Sequence, residues 1–164
     1  MPIRSLVLAV LCAIAFPAAA HAAVPNPRDG ELKLMCRQIN SFRAQNGIAP
    51  MKMSSPLVSA ATWMSSDMAT KNYFSHTDSL GRAWNTRLGA FGYTSSTIGE
   101  NIAAGAGDAA TTINQWKNSP GHRAAMLNPS YRAMGIGRGY NPYSAYGSYW
   151  VADFGASLER VSDC

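Results

Sequence analysis

The chain has 164 residues, 47% of them apolar and 14% charged, and carries a formal net charge of +5. That length supports one domain with one real core. The basic residues are scattered (Arg28, Lys33, Arg37, Arg43, Lys52, Lys71, Arg82, Arg87) and form no cluster, which argues against nucleic acid. Spread positive charge of this size serves solubility and helps adhesion to an anionic envelope surface.

Met1–Arg4 is a short basic start and Leu6–Phe16 an apolar run, broken by Pro17 and followed by the small-x-small site Ala20-His-Ala22. This is the pattern of a secretory signal peptide over residues 1–22, with the mature chain starting at Ala23. The run is too short for a bilayer, which needs about 20 apolar residues, and no later run is long enough. The expected location is therefore secreted or periplasmic. Export removes Cys12 and leaves Cys36 and Cys164, an even pair in an oxidising compartment. An intramolecular Cys36–Cys164 disulfide is expected; two free thiols, or a C-terminal cysteine paired with another chain, are the alternatives.

Residues 23–30 read as a linker and 31–164 as the domain. Asp29 suits the N-cap of a first helix, whose apolar residues recur at Leu32, Met35, Ile39 and Phe42 before Gly47 closes it. Ile48–Met53 is a connector. Ser55 caps a second helix with Pro56 in its first turn; Leu57, Ala60, Ala61, Met64 and Met68 form its buried stripe, and it ends near Asn72. Tyr73–Asp78 is a loop carrying His76. Ser79 is placed to cap a third helix through Trp84 and Leu88. Ile98–Ala103 is a short strand carrying Glu100 and leading into the Gly105/Gly107 turn. Asp108 caps a fourth helix with Ile113 and Trp116 inward; Pro120 breaks it and starts a last helical turn carrying His122. Arg132–Tyr140 is a glycine-rich strand whose backbone is expected to approach a helix closely. Asn141–Gly147 is a polar turn and Ser148–Phe154 the partner strand of an antiparallel hairpin. Helices come first and strands late, without βαβ alternation, which predicts an α+β fold with an antiparallel sheet covered by helices.

His76, Glu100 and His122 sit in three separate turn-flanked motifs and look like one site assembled by folding. The motifs around them are Asn40-Ser-Phe-Arg-Ala44, Phe74-Ser-His76, Gly99-Glu-Asn101, Trp116 followed by Ser119-Pro-Gly-His-Arg123, Gly135-Ile-Gly137, and Tyr149-Trp150 with Phe154-Gly155. In this order they resemble the CAP (SCP-like) superfamily of cysteine-rich secretory proteins, antigen 5 and plant pathogenesis-related protein 1, in its short bacterial secreted form. The resemblance covers about residues 32 to 157. It implies a three-layer α-β-α sandwich with a central antiparallel sheet, and a surface cleft lined by two histidines and two acidic residues. His76, Glu100 and His122 match three of the four. The fourth, a glutamate three residues after the helix tryptophan, is Ser119 here.

Two neutral imidazoles and a carboxylate are a ligand set for Zn²⁺ or another divalent cation, with open positions for water that the metal would activate. The same trio can instead be a hydrogen-bonded brace of the cleft. Ser119 beside His122 reads first as a helix N-cap and second as a nucleophile. Asn101 is expected to hold the Glu100 turn, Arg123 to be a surface or cap residue, and Asp153 an exposed strand position. The four tryptophans are expected in the core, and Tyr140, Tyr143, Tyr146 and Tyr149 cluster at the hairpin turn as ordinary packing or as a glycan- or lipid-facing surface. The resemblance favours a secreted, non-enzymatic domain that binds an extracellular or envelope lipid, glycan or protein, with a divalent metal as an option in the cleft. The alternative is a metal-dependent hydrolase of peptide or envelope polymer built on His76, Glu100 and His122. With a single acid, Glu100 would have to serve both metal and proton transfer.

Overall fold

A computed structural model describes residues 27–164; the expected signal peptide lies outside the described residues. The elements run α1 (Pro27–Gln45), β1 (Lys52–Ser54), α2 (Ser55–Lys71), α3 (Trp84–Ala90), β2 (Ile98–Ala104), α4 (Ala109–Asn118), α5 (Pro120–Met126), β3 (Ala133–Tyr140), β4 (Ser148–Gly155) and β5 (Val161–Ser162). The first helix begins inside the expected linker, at Pro27 rather than after Asp29. Proline is suited to a first helical position, where its missing N–H is no loss. The third helix starts at Trp84, not at Ser79; Ser79 instead donates its N–H and hydroxyl to Asp67 at 2.9 and 2.6 Å.

The five strands form one sheet in the order β2-β4-β3-β1-β5. The β2–β4, β3–β4 and β1–β5 pairs are antiparallel. The β1–β3 pair is parallel, so the sheet is mixed rather than purely antiparallel. Its three-residue parallel strand comes from the expected connector: β1 precedes α2 in the chain and reaches β3 only by a long crossover, the connection a parallel pair requires.

One face of the sheet meets α2 and α3 and the other meets α1, α4 and α5, which makes the α-β-α sandwich. Ala61, Met64 and Met68 of α2 pack on Ile102, Tyr149 and Val151. Met35, Ile39, Ile113, Trp116 and Met126 pack on Met134 and Ile136 of β3 and on Trp150, Ala152 and Phe154, the alternate residues of β4. The glycine-rich strand explains how closely α2 sits. A Cβ on Gly135, Gly137 or Gly139 would overlap the α2 backbone at Leu57, Ala61 and Ser65 respectively. Two strand residues advance about 6.6 Å and four helix residues about 6 Å, so each glycine meets a successive helical turn.

Two devices hold α1 to the rest. Cys36 and Cys164 form the expected disulfide across a sequence separation of 128, a closure that contributes about 4–5 kcal/mol in the chain-entropy treatment. Arg43 is fully buried, against its expected place among scattered surface cations. Its guanidinium donates to the carbonyls of Ala49, Met126, Asn128 and Tyr131 at 2.8–3.0 Å. Two of those carbonyls lie at the end of α5 and just beyond it, where helical acceptors have no partner of their own.

Candidate functional site

β2 is an edge strand, and the site straddles that edge. Side chains alternate along it, so Glu100 turns to the α2/α3 face and Asn101 to the α4/α5 face. His76 approaches from the first side and His122 from the second.

The His76 loop is firmly tied. It leaves α2 at Asn72, whose left-handed backbone (φ 56°) closes the helix. Asp67 gathers the loop by accepting from Tyr73 and from Ser79. Buried Asp78 accepts from the N–H groups of Leu80 and Arg82 and from the Arg82 side chain. Arg87 on α3 reaches under the loop to the His76 carbonyl at 3.2 Å.

The Glu100 side chain is closed to solvent, while that of His76 is about half exposed. Glu100 Oε1 lies 2.8 Å from His76 Nδ1, and its Oε2 accepts from Nη2 of the completely buried Arg87. Arginine stays charged in proteins, so this buried cation sets Glu100 as its anion. Directly across the strand pairing from Glu100 stands Asp153. It is fully buried, not exposed. β4 is central and covered on both faces, so every one of its positions is closed off. Burial, then the Glu100 charge, push its carboxyl well above the ordinary carboxylate range.

On the other side α5 carries His122. Ser119 is the N-cap residue of α5 but its hydroxyl makes no capping bond. Asn101 is buried and donates to the His122 carbonyl at 3.0 Å. It therefore fixes the His122 turn to β2, rather than holding the Glu100 turn. The His122 ring leans on Trp116, with centroids 6.3 Å apart. Burial, and then the nearby charge of His76, hold its pKa below the ordinary histidine value, so it is neutral at physiological pH. Arg123 is exposed, as expected, and lies over the Phe42 ring.

Beside His122 opens a pocket of about 360 Å³ lined by Phe74, Ile102, Trp116, Ser119, His122 and Tyr146, with Ala104 on its wall. Most of its surface is apolar. Phe74 and Tyr146 are about half exposed and pack on each other at 5.9 Å, forming a rim. Tyr146 also meets the buried Tyr149 edge-on, while Tyr143 projects into solvent. The tyrosine cluster thus divides into a core residue, a rim residue and two exposed residues. Trp116 and Trp150 are core, as expected; Trp63 and Trp84 are only partly covered.

Of the expected Zn²⁺ ligand set, Glu100 is not free: its two oxygens are engaged by His76 Nδ1 and by Arg87. A carboxylate at Nδ1 is the usual support of a metal-binding imidazole, and it leaves His76 Nε2 open. Among the described residues no three His, Cys, Asp or Glu side chains are grouped to hold a metal ion. Sequence reasoning finds His76, Glu100, His122, Ser119 and Asn101 and misses Arg87, Asp153, Phe74 and Tyr146 as parts of the site. Asp153 has a signal: an acid in the middle of the unbroken Tyr-Trp-Val-Ala-Asp-Phe strand is a candidate for burial.

A family model described as "Cysteine-rich secretory protein family" matches residues 36–154. The Bacillus subtilis protein YkwD is 34% identical over 115 residues, covering 70% of this chain and 43% of YkwD. The crystal structure of an extracellular protein containing a SCP domain from Bacillus anthracis superposes with a TM-score of 0.71 at 26% identity, over 79% of this chain and 41% of that one. An outer surface protein from Borrelia burgdorferi superposes at 0.70 with 20% identity, over 80% of this chain and 93% of its own, and so shares the fold. The chain spans less than half the length of YkwD and of the B. anthracis protein. Among the described residues no helix is long and apolar enough to cross a membrane.

Proposed function

The chain belongs to the cysteine-rich secretory protein (CAP) family, and from that premise we propose that it is a secreted, non-enzymatic binding domain whose cleft takes a small extracellular or envelope ligand with an apolar body. The observation that carries this reading is the pocket beside His122, with aromatic walls, a neutral imidazole and the Ser119 hydroxyl. A concave, mostly apolar cavity with few polar groups is the usual form of a small-molecule site. His122 and Ser119 orient the ligand's polar end; Phe74 and Tyr146 cover its body. A hydrolase reading is weaker. Glu100 is engaged by Arg87 and His76, and the position expected to supply a second acid is Ser119.

The test uses 1-aminoanthracene, a neutral aromatic whose fluorescence rises in apolar surroundings, titrated into the full chain with a metal chelator present. Saturable uptake of one probe per chain is expected. Ala104→Phe, which fills the pocket wall, should weaken it at least about tenfold, roughly 1.4 kcal/mol. Absence of saturable uptake, or uptake untouched by Ala104→Phe, would refute the reading.

A further inference from the structure

The β3–β4 hairpin ends in Tyr140-Asn-Pro-Tyr-Ser-Ala-Tyr-Gly147, of which the pocket beside His122 uses only Tyr146. Tyr140 and Tyr146 are about half exposed, and Tyr143 is 94% exposed. The backbone beneath them is fixed. Asn141 closes the turn by donating its N–H to the Gly147 carbonyl at 2.8 Å. The Asn141 carboxamide accepts from the Tyr143 N–H and donates to the Ala69 carbonyl, both at 3.0 Å. Asn72, just past α2, accepts from the Ala145 N–H at 2.7 Å. The last carbonyls of a helix lack partners of their own, so the end of α2 is a natural anchor for the turn. On the pocket side the Tyr146 ring packs on Phe74 and on Tyr149. The amide groups of the tip are spent on bracing it, and the phenols face outward. Rings held on a preset backbone lose little freedom on binding.

We infer that this tip is a carbohydrate platform on which a neutral pyranose chain stacks. Charge selects the ligand first. From Gly139 to Ala152 the chain carries no charged residue, and Ala69, Asn72 and Phe74 against it are uncharged as well. One lysine, Lys71, flanks Asn72; a single cation is not the basic field that draws an anionic polymer. Composition argues against a bilayer. Segments that lie in a membrane surface set Trp, Phe or Leu against Lys or Arg, and residues 140–147 contain none of these. Size argues against a stable protein partner. Three partly exposed tyrosines present roughly 300–500 Å², well short of the about 800 Å² per side that a stable protein interface needs. A pyranose matches what the tip offers. Its face is a set of C–H groups, which suit the electron-rich face of a phenol ring. Its rim hydroxyls pair with the phenol oxygen directly or through water. With three phenols in one short turn, an oligosaccharide finds more than one stacking partner and a monosaccharide only one. The platform lies outside the pocket, so this inference and the pocket reading fail separately.

The test is an NMR titration of the full chain, with ¹³C in its tyrosine rings, against cellotetraose and chitotetraose, two uncharged sugars. Saturable shifts of the Tyr140 and Tyr143 ring signals are expected with at least one of them at millimolar concentration. Tyr143→Ala, at a position exposed enough to leave folding intact, should weaken binding at least about fivefold, the size of one lost aromatic contact. Tyr140→Ala/Tyr143→Ala should abolish it. Ala104→Phe, which fills the pocket wall, should leave it unchanged. Tyrosine signals that stay still with both sugars would overturn the inference. So would binding that Ala104→Phe removes and Tyr143→Ala leaves intact, since the sugar would then sit in the pocket. Sedimentation with phosphatidylcholine/phosphatidylglycerol vesicles checks the bilayer: association lost in Tyr140→Ala/Tyr143→Ala, without sugar binding, would make the tip a membrane contact instead.

Discussion

Among the described residues two arginines, Arg43 and Arg87, are buried, and they are held in opposite ways. Arg43 is surrounded by backbone carbonyls: four acceptors take hydrogen bonds from its guanidinium, and no acid is among them. Arg87 has one carbonyl and one carboxylate, its Nε is unpartnered, and beside it lies a second acid with no donor. The first region is a finished clamp that ties α1 to the end of α5. The second is a cluster of charges whose balance depends on where one proton sits, and one of its members, His76, reaches the surface. Satisfied buried networks hold a fold; those with a titratable margin at a cleft are where function is sought first.

The comparison breaks most visibly by removing each arginine. Arg43→Met leaves four backbone carbonyls without their donor and should cost about 3–5 kcal/mol in denaturant unfolding. No second substitution nearby should recover that loss, because the orphaned groups are backbone. Arg87→Met leaves Glu100 as a buried anion without its cation and should cost about 3–5 kcal/mol as well. Here the double variant Arg87→Met/Glu100→Gln should recover part of it, with a coupling of about 1–3 kcal/mol. Equal losses in the single and double variants would show that Arg87 is only another scaffold clamp.

Asp153→Asn sharpens the contrast at smaller amplitude. The folded-state pKa of Asp153 is raised, so the unfolded chain releases that proton first as pH rises. Its contribution to stability is complete below the unfolded value, near 3.8, and is lost as pH climbs toward the folded value. The variant lacks this loss. Its melting temperature should therefore gain on the wild type as pH rises from about 4 to neutrality. A constant difference across that range would contradict the raised pKa.

The smallest expected effect concerns His122. Its folded pKa is lowered, so the unfolded state binds a proton first and stability falls as pH drops below about 6.5. His122→Leu should remove that acid-side loss and leave the Arg43 region untouched. It should also weaken 1-aminoanthracene uptake less than Ala104→Phe does, because the pocket wall stays open. Unchanged acid-side stability in His122→Leu would show that the imidazole is not held neutral.

Much of this is legible in the sequence, and the arginine comparison explains what is not. The α2 stripe Leu57–Met68, the Asp108 cap, the hairpin and the glycine strand under α2 follow from local pattern. Asp108 accepts the Thr111 N–H at 2.7 Å as a cap should. His76, Glu100 and His122 stand out because their residue types are scarce and their motifs ordered. Arg43 and Arg87 read as surface charge because nothing near them in sequence announces their acceptors. Tyr131 O is 88 residues from Arg43, and Glu100 is 13 from Arg87 on another element. Asp153 is misplaced because alternation along one strand does not reveal that both faces are covered. β1 and β5, of three and two residues, are too short for any periodic signal and exist only through pairing with each other and β3.

The most direct test of the central claim, that this cleft is a metal-independent binding site, is the 1-aminoanthracene titration run on wild type with chelator and again with added zinc. Saturable one-to-one uptake, equal in both conditions and weakened by Ala104→Phe, is the predicted result. Uptake that appears only with zinc, or none at all, would contradict it.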